Sequence, residues 1–175
     1  MATYKIDTMH SEVAFKVKHL MISTVTGRFT AFDATLTADD AAFANASITF
    51  EADINSISTG NDHRDTHLKS PEFFSADEFP KLTFVSTSFT PKDEDDYVLV
   101  GDLTMHGVTK SVKLKVKYNG MMTDFYGNNK VGFEIEGKIK RSEFGLTWSG
   151  VTEAGGVVVS DEVKLEFDVQ FAEQK

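Results

Sequence analysis

Alternation with a period of two runs through most of this chain. It is the pattern of strands that keep one face in a core and the other in water. Val13, Phe15 and Val17 point one way, with Lys16 and Lys18 the other. Ile48, Phe50, Ala52 and Ile54 alternate with Thr49, Glu51 and Asp53. The same rhythm returns over 82–86, 99–105, 112–118, 131–139 and 163–171. The stretch 25–36 also reads as strand, but its apolar set changes parity between Phe29 and Phe32, which predicts a bulge or bend near Thr30. These are about eight strands, and their single wet face predicts antiparallel pairing.

Turn residues punctuate the strands at Asp39-Asp40, 91–96, His106-Gly107, Asn119-Gly120, 126–129 and Gly155-Gly156. The acidic run from Asp93 to Asp96 reads as a solvated loop tip. It lacks the spaced oxygen ligands, central Gly and closing Glu of a calcium loop. Only 59–80 breaks the pattern. The residues 61–69 predict a short helix capped by Thr59 or Asn61. Ser70-Pro71 then predicts the start of a second short helix carrying Phe73 and Phe74, and Ser75 with Glu78 has capping-box spacing. Pro80 ends the segment. A helical insertion over about 60–79 is long for a connection in an all-β chain, so it is expected to be functional or a lid. No repeat or linker divides the chain, and 1–175 reads as one domain. An eight-stranded antiparallel sheet of this kind either closes as a barrel or splits as a sandwich. A closed one is just wide enough to be filled by side chains or to hold one small ligand.

Composition narrows the function. The formal net charge of −9 argues against a nucleic-acid binder and against docking on an anionic membrane. The absence of Cys removes disulfides, thiolate nucleophiles and Cys-based zinc sites. No basic segment followed by an apolar one precedes the patterned sequence, so a cytoplasmic protein is expected; a leader already removed would place it in the cell envelope. Phe dominates the aromatics, at 15 against 4 Tyr and 1 Trp. Phe has no polar handle to satisfy, which suits either a dense core or a lined apolar cavity.

The chemistry-bearing residues are sparse. His63 and His67 lie four apart on the predicted helix, but Arg64 stands where a zinc-protease helix needs its Glu. Their expected role is surface hydrogen bonding that docks the insertion. His10 and Ser11 are adjacent at a strand mouth, where neighbours face opposite ways, so they are not a base and nucleophile. Lys113, Lys115 and Lys117 form a basic stripe that is expected to pair across to Glu134 and Glu136.

The order of these residues resembles the YceI-like family. The resemblance is carried by Ile6-Asp7-x-x-His10-Ser11-x-Val13-x-Phe15-x-Val17-Lys18-His19-Leu20 and by Ser23-x-Val25-x-Gly27-x-Phe29. It continues through Arg64-Asp65-x-His67-Leu68-Lys69-Ser70, Phe73-Phe74, Phe79-Pro80 and Phe84-x-Ser86. Gly101-Asp102-Leu103-Thr104-x-His106-Gly107-Val108-Thr109 and Arg141-Ser142-Glu143-Phe144-Gly145-Leu146 complete it. The resemblance implies an eight-stranded antiparallel lipocalin-like barrel with a short helical insertion. Its apolar pocket would hold a polyprenyl lipid or quinone, without catalysis and with no cofactor beyond that lipid. A homodimer is compatible with it. Many relatives carry a secretion signal that is not seen at the start of this chain.

The expected function is therefore binding, storage or transport of a long-chain isoprenoid or similar amphiphile. The cavity residues expected to touch it are Phe15, Val17, Leu20, Phe29, Leu68, Phe73, Phe74, Phe84, Leu103, Phe133, Phe144, Leu146 and Trp148. Arg64 is expected to anchor the insertion to the barrel by an ion pair. Two other readings compete: a metal-dependent enzyme on a hydrophobic substrate using His63, Asp65 and His67, and a solid-barrel interaction protein using the lysine stripe.

Overall fold

The computed structural model describes residues 2–20, 22–40, 42–43, 45–147 and 159–174. In chain order the elements are β1 (Ala2–Ile6), β2 (Glu12–His19), β3 (Ser23–Phe29), β4 (Phe32–Ala38), β5 (Ser47–Asp53), β6 (Ile57–Ser58) and α1 (Asp62–Lys69). They continue with β7 (Lys81–Pro91), β8 (Asp96–Met105), β9 (Val108–Thr123), β10 (Asn129–Lys140) and β11 (Glu162–Glu173). Every pairing is antiparallel, and the ring β1-β4-β5-β7-β8-β9-β10-β11 closes because β11 pairs back onto β1. The result is a closed eight-stranded barrel, not a sandwich, and closure removes the exposed edges an open sheet would leave. Among the described residues, no helix is long and apolar enough to cross a membrane.

Two strands are broken on the way round. The expected bend near Thr30 falls between β3 and β4, where the Thr30 N–H leaves the ladder and donates to the Ser56 carbonyl. The other break, between β1 and β2, is a 3-10 turn over Thr8–His10. Asp7 clamps it: its carboxylate accepts from the Met9 N–H at 3.1 Å, from His10 Nδ1 at 2.8 Å and from Lys130 Nζ at 2.6 Å. Ser11 accepts from the Gln170 N–H at 2.9 Å, so His10 bonds Asp7, Ser11 bonds the backbone, and the two do not pair with each other.

Three expectations change. Ala2–Ile6 is a strand that short, mixed patterning did not announce. Asn119-Gly120 is not a turn but a bulge inside β9, since Gly132 faces Gly120 while Phe133 faces Tyr118. The second helix does not form. Past α1 the chain makes successive turns, with the Phe74 N–H on the Leu68 carbonyl and the Ala76 N–H on the Lys69 carbonyl, and Ser75 at φ 49°. Helix α1 is as expected, with Asn61 accepting from the Arg64 N–H.

The up-and-down order sends the β2–β3 turn, the 59–80 insertion, the His106-Gly107 turn and the β10–β11 connection to one end, here called the mouth. The β4–β5, β7–β8 and β9–β10 loops lie at the other end, the base. Phe43 comes from the β4–β5 loop and fills the base. Its ring meets those of Phe133 at 5.3 Å, Tyr118 at 5.4 Å, Tyr97 at 6.2 Å, and Tyr4 and Phe89 at 6.4 Å. Tilted and edge-to-face rings at these separations are in contact, and among the described residues they fill the barrel at that height.

Candidate functional site

Above this aromatic floor the barrel is hollow. A cavity of about 320 Å³ runs from Phe171, Leu99 and Ile48 near the floor to α1 at the mouth. Its wall is the inward face of the alternating strands, including Val13, Phe15, Phe29, Phe50, Phe84, Leu103, Val112, Leu114, Ile135 and Leu165.

Glycines on the inner wall help keep it open. A Cβ on Gly27 would lie 2.2 Å from the Phe15 ring, and one on Gly101 would lie 2.4 Å from the Phe84 ring. Each ring therefore lies flat against a bare stretch of backbone instead of projecting into the lumen.

The expected cavity residues divide into three groups. Phe15, Val17, Phe29, Leu68, Phe73, Phe74, Phe84, Leu103 and Leu146 line the cavity. Leu20, Phe133 and Phe144 do not. Leu20 sits in the β2–β3 turn at φ 54° and is 39% exposed, because the hairpin reverses there and carries it out to the rim. Phe133 faces inward but at the height of the floor, 1% exposed and packed on Phe43. Phe144 is buried in the 3-10 turn Arg141–Phe144, behind the mouth wall, where its carbonyl lies 3.2 Å from His106 Nδ1. Trp148 lies outside the described residues.

Among the described residues, polar side chains reach the wall only at the mouth. They are Lys18, His19, Thr59, Arg64, His67 and Arg141. Arg141 is 7% exposed and pins the mouth together. It donates to the carbonyls of Leu146 at 2.6 Å, Ser160 at 3.0 Å and Val159 at 3.1 Å, and it lies 5.9 Å over the Phe73 ring. Burial pulls its guanidinium below the ordinary arginine value, and Asp161 partly offsets this. Sequence reasoning had singled out neither Arg141 nor the inward glycines for a role.

Arg64 does not make the expected ion pair. Its Nε and Nη2 donate to the Thr59 hydroxyl and carbonyl at 2.7 and 2.6 Å, and Thr59 in turn donates its N–H and hydroxyl to Asp65. The insertion is tied down within itself by this Arg64–Thr59–Asp65 chain. His63, Asp65 and His67 do not converge: His63 is exposed, Asp65 is buried on Thr59, and His67 bonds Glu72. Among the described residues no three His, Asp or Glu side chains gather as metal ligands would. The lysine stripe lies on the outer wall, with Lys115 opposite Glu136 and Lys117 opposite Glu134.

Known proteins with this sequence and shape agree with one another. The family model for a YceI-like domain matches residues 4–171. A UPF0312 protein of Staphylococcus aureus is 36% identical over 173 residues, covering 98% of each chain. The crystal structure of BcnA from Burkholderia cenocepacia superposes with a TM-score of 0.82 at 25% identity, over 94% of this chain and 98% of that one. A polyisoprenoid binding domain from Saccharophagus degradans shares the fold, with a TM-score of 0.68 at 18% identity over 98% of each chain. The barrel, its helical insertion and the sequence match across nearly its whole length lead to one conclusion: this chain belongs to the YceI-like family.

Proposed function

We propose that this protein binds, stores or carries a single isoprenoid or other long-chain amphiphile, tail inward, without changing it chemically. The observation that carries this reading is the 320 Å³ lumen, walled by aliphatic and Phe side chains, closed at the base and covered at the mouth by the insertion. An apolar cavity of about 150 Å³ holds the six carbons of benzene, so this lumen holds about 13 carbons, or nearly three isoprene units. A hydrocarbon tail offers no hydrogen bonds, and a wall with no polar side chain below the mouth among the described residues asks for none. Each buried methylene contributes about 0.8 kcal/mol, enough over such a tail to outweigh the entropy of ordering it. The name of the Saccharophagus neighbour, a polyisoprenoid binding domain, agrees with this chemistry.

A non-catalytic role is supported by how the polar groups at the mouth are engaged. Thr59 is held by Arg64 and Asp65, and His67 bonds Glu72, so among the described residues no hydroxyl there is paired with an imidazole base. The test is a titration of the protein with farnesol, followed by mass spectrometry of the native complex and of the extracted ligand. The reading requires one farnesol per chain, recovered at unchanged mass. No complex at any farnesol concentration would overturn binding, and an altered mass would overturn the non-catalytic role.

A further inference from the structure

The charged groups on the cavity wall are all basic, and this bears on the head of the bound chain. The inference rests on the binding reading above. Lys18 turns its ammonium outward onto the Thr24 hydroxyl at 2.9 Å. Arg64, Arg141, His19 and His67 remain around the mouth, and among the described residues no carboxylate lines the cavity. In a chain with 27 acidic residues and a net charge of −9, that lining does not follow from composition. The nearby carboxylates face elsewhere: Asp65 is turned onto Thr59, and Glu72 sits outside against His67.

Arg64 is the group placed to use this field. It is half-buried and lines the cavity. Two of its five N–H donors hold Thr59, all from its Nε and Nη2 side. Its Nη1 makes no hydrogen bond among the described residues, and no described carboxylate pairs with it directly. A guanidinium fixed on one edge and open on the other, beside a chamber of low polarity, is suited to a carboxylate or phosphate. Arg141, held by backbone carbonyls a short way round the rim, adds positive potential without needing to touch the ligand.

We propose that the mouth selects for an anionic oxygen head, carboxylate or phosphate, on the enclosed chain, and that Arg64 is the residue that contacts it. A neutral alcohol or quinone head would leave the open edge of Arg64 without its anion.

The test holds the tail constant and varies the head. Dodecanoate, dodecyl phosphate, dodecanol and dodecylamine, each below its micelle concentration, are titrated by displacement of a fluorescent apolar probe. The proteins are the wild type, Arg64→Gln and Arg64→Lys. In the wild type the two anions bind at least about tenfold tighter than the alcohol, and the amine binds weakest. Arg64→Gln brings the anion-to-alcohol ratio below about threefold, and Arg64→Lys keeps part of it. The ratio is read within each protein, so a general loss of fold or affinity cancels. Carboxylate ahead of phosphate identifies a fatty-acid type of ligand, and the reverse order a prenyl or lipid phosphate. Equal binding of anion and alcohol, or a ratio that survives Arg64→Gln, overturns the head selection alone. Failure of every dodecyl probe to bind overturns both this inference and the binding reading beneath it.

Discussion

The length of the lumen sets a limit on useful tail length, and that limit can be measured. With a floor made by Phe43 and Phe133 and about 320 Å³ above it, the cavity takes about 13 carbons. Up to that point each added methylene leaves water for an apolar wall, which is worth about 0.8 kcal/mol and a three- to fourfold gain in affinity. Between eight and twelve carbons the dissociation constant of a straight-chain carboxylate should fall about two hundredfold. Beyond about 13 carbons the added groups meet the floor or remain in the mouth, and the gain per carbon should drop below about 1.5-fold. Isothermal titration of carboxylates from eight to eighteen carbons, all below their micelle concentrations, reads the slope directly because the head is constant. A slope that continues unbroken to eighteen carbons would refute the closed floor. Affinity independent of length would refute a tail inside the barrel.

Three further perturbations follow from the same geometry. Gly27→Ala pushes only the Phe15 ring, which must tip into the lumen, so stability should change little while the longest tolerated tail shortens. Gly101→Ala also meets the Val85 carbonyl at 2.6 Å, which cannot move aside, so it should cost about 1–3 kcal/mol in chemical denaturation. Phe43→Ala removes the centre of the floor; it should cost about 3–5 kcal/mol and move the tail-length plateau to longer chains, with an unmoved plateau counting against Phe43 as the stop. Burial alone would raise the Asp7 carboxyl, but hydrogen bonds from Lys130 and His10 outweigh it and hold the group at about 2. Its contribution is therefore complete above the ordinary value of 3.8 and lost as pH falls through about 2. The thermal stability gap between wild type and Asp7→Asn, about 1 kcal/mol for so solvent-screened a cluster, should close across that window; a gap that persists at pH 2 would mean the clamp acts without its charge.

Alternation revealed most of the strands, though not Ala2–Ile6, and the kink at Thr30, because one face of each strand is in the lumen and the other in water. It also placed Phe15, Phe29, Phe84 and Leu103 on the inner face. What alternation lacks is height along the barrel axis. Phe133 and Phe84 both sit at inward positions, yet one packs into the floor and the other lines the cavity. The floor itself depends on Phe43, a loop residue at φ 61° with no periodic neighbours to mark it. Asn119-Gly120 carries a strong local turn signal, but the long β9–β10 ladder absorbs it as a bulge. The second helix failed for a tertiary reason: Phe73 and Phe74 are needed at the cavity wall, and the turns after α1 deliver them there. The partner of Arg64 is five residues away in Thr59, a contact that charge pairing alone does not suggest.

Occupancy of the barrel lumen by one apolar chain can be read directly. Its most direct test is native mass spectrometry of the protein as purified and after addition of farnesol, beside a Leu103→Trp variant whose larger ring projects into the cavity. One ligand per chain is expected in the wild type, with most of that occupancy lost in a variant that remains folded by circular dichroism. Equal occupancy in the two folded proteins would place the ligand outside the barrel.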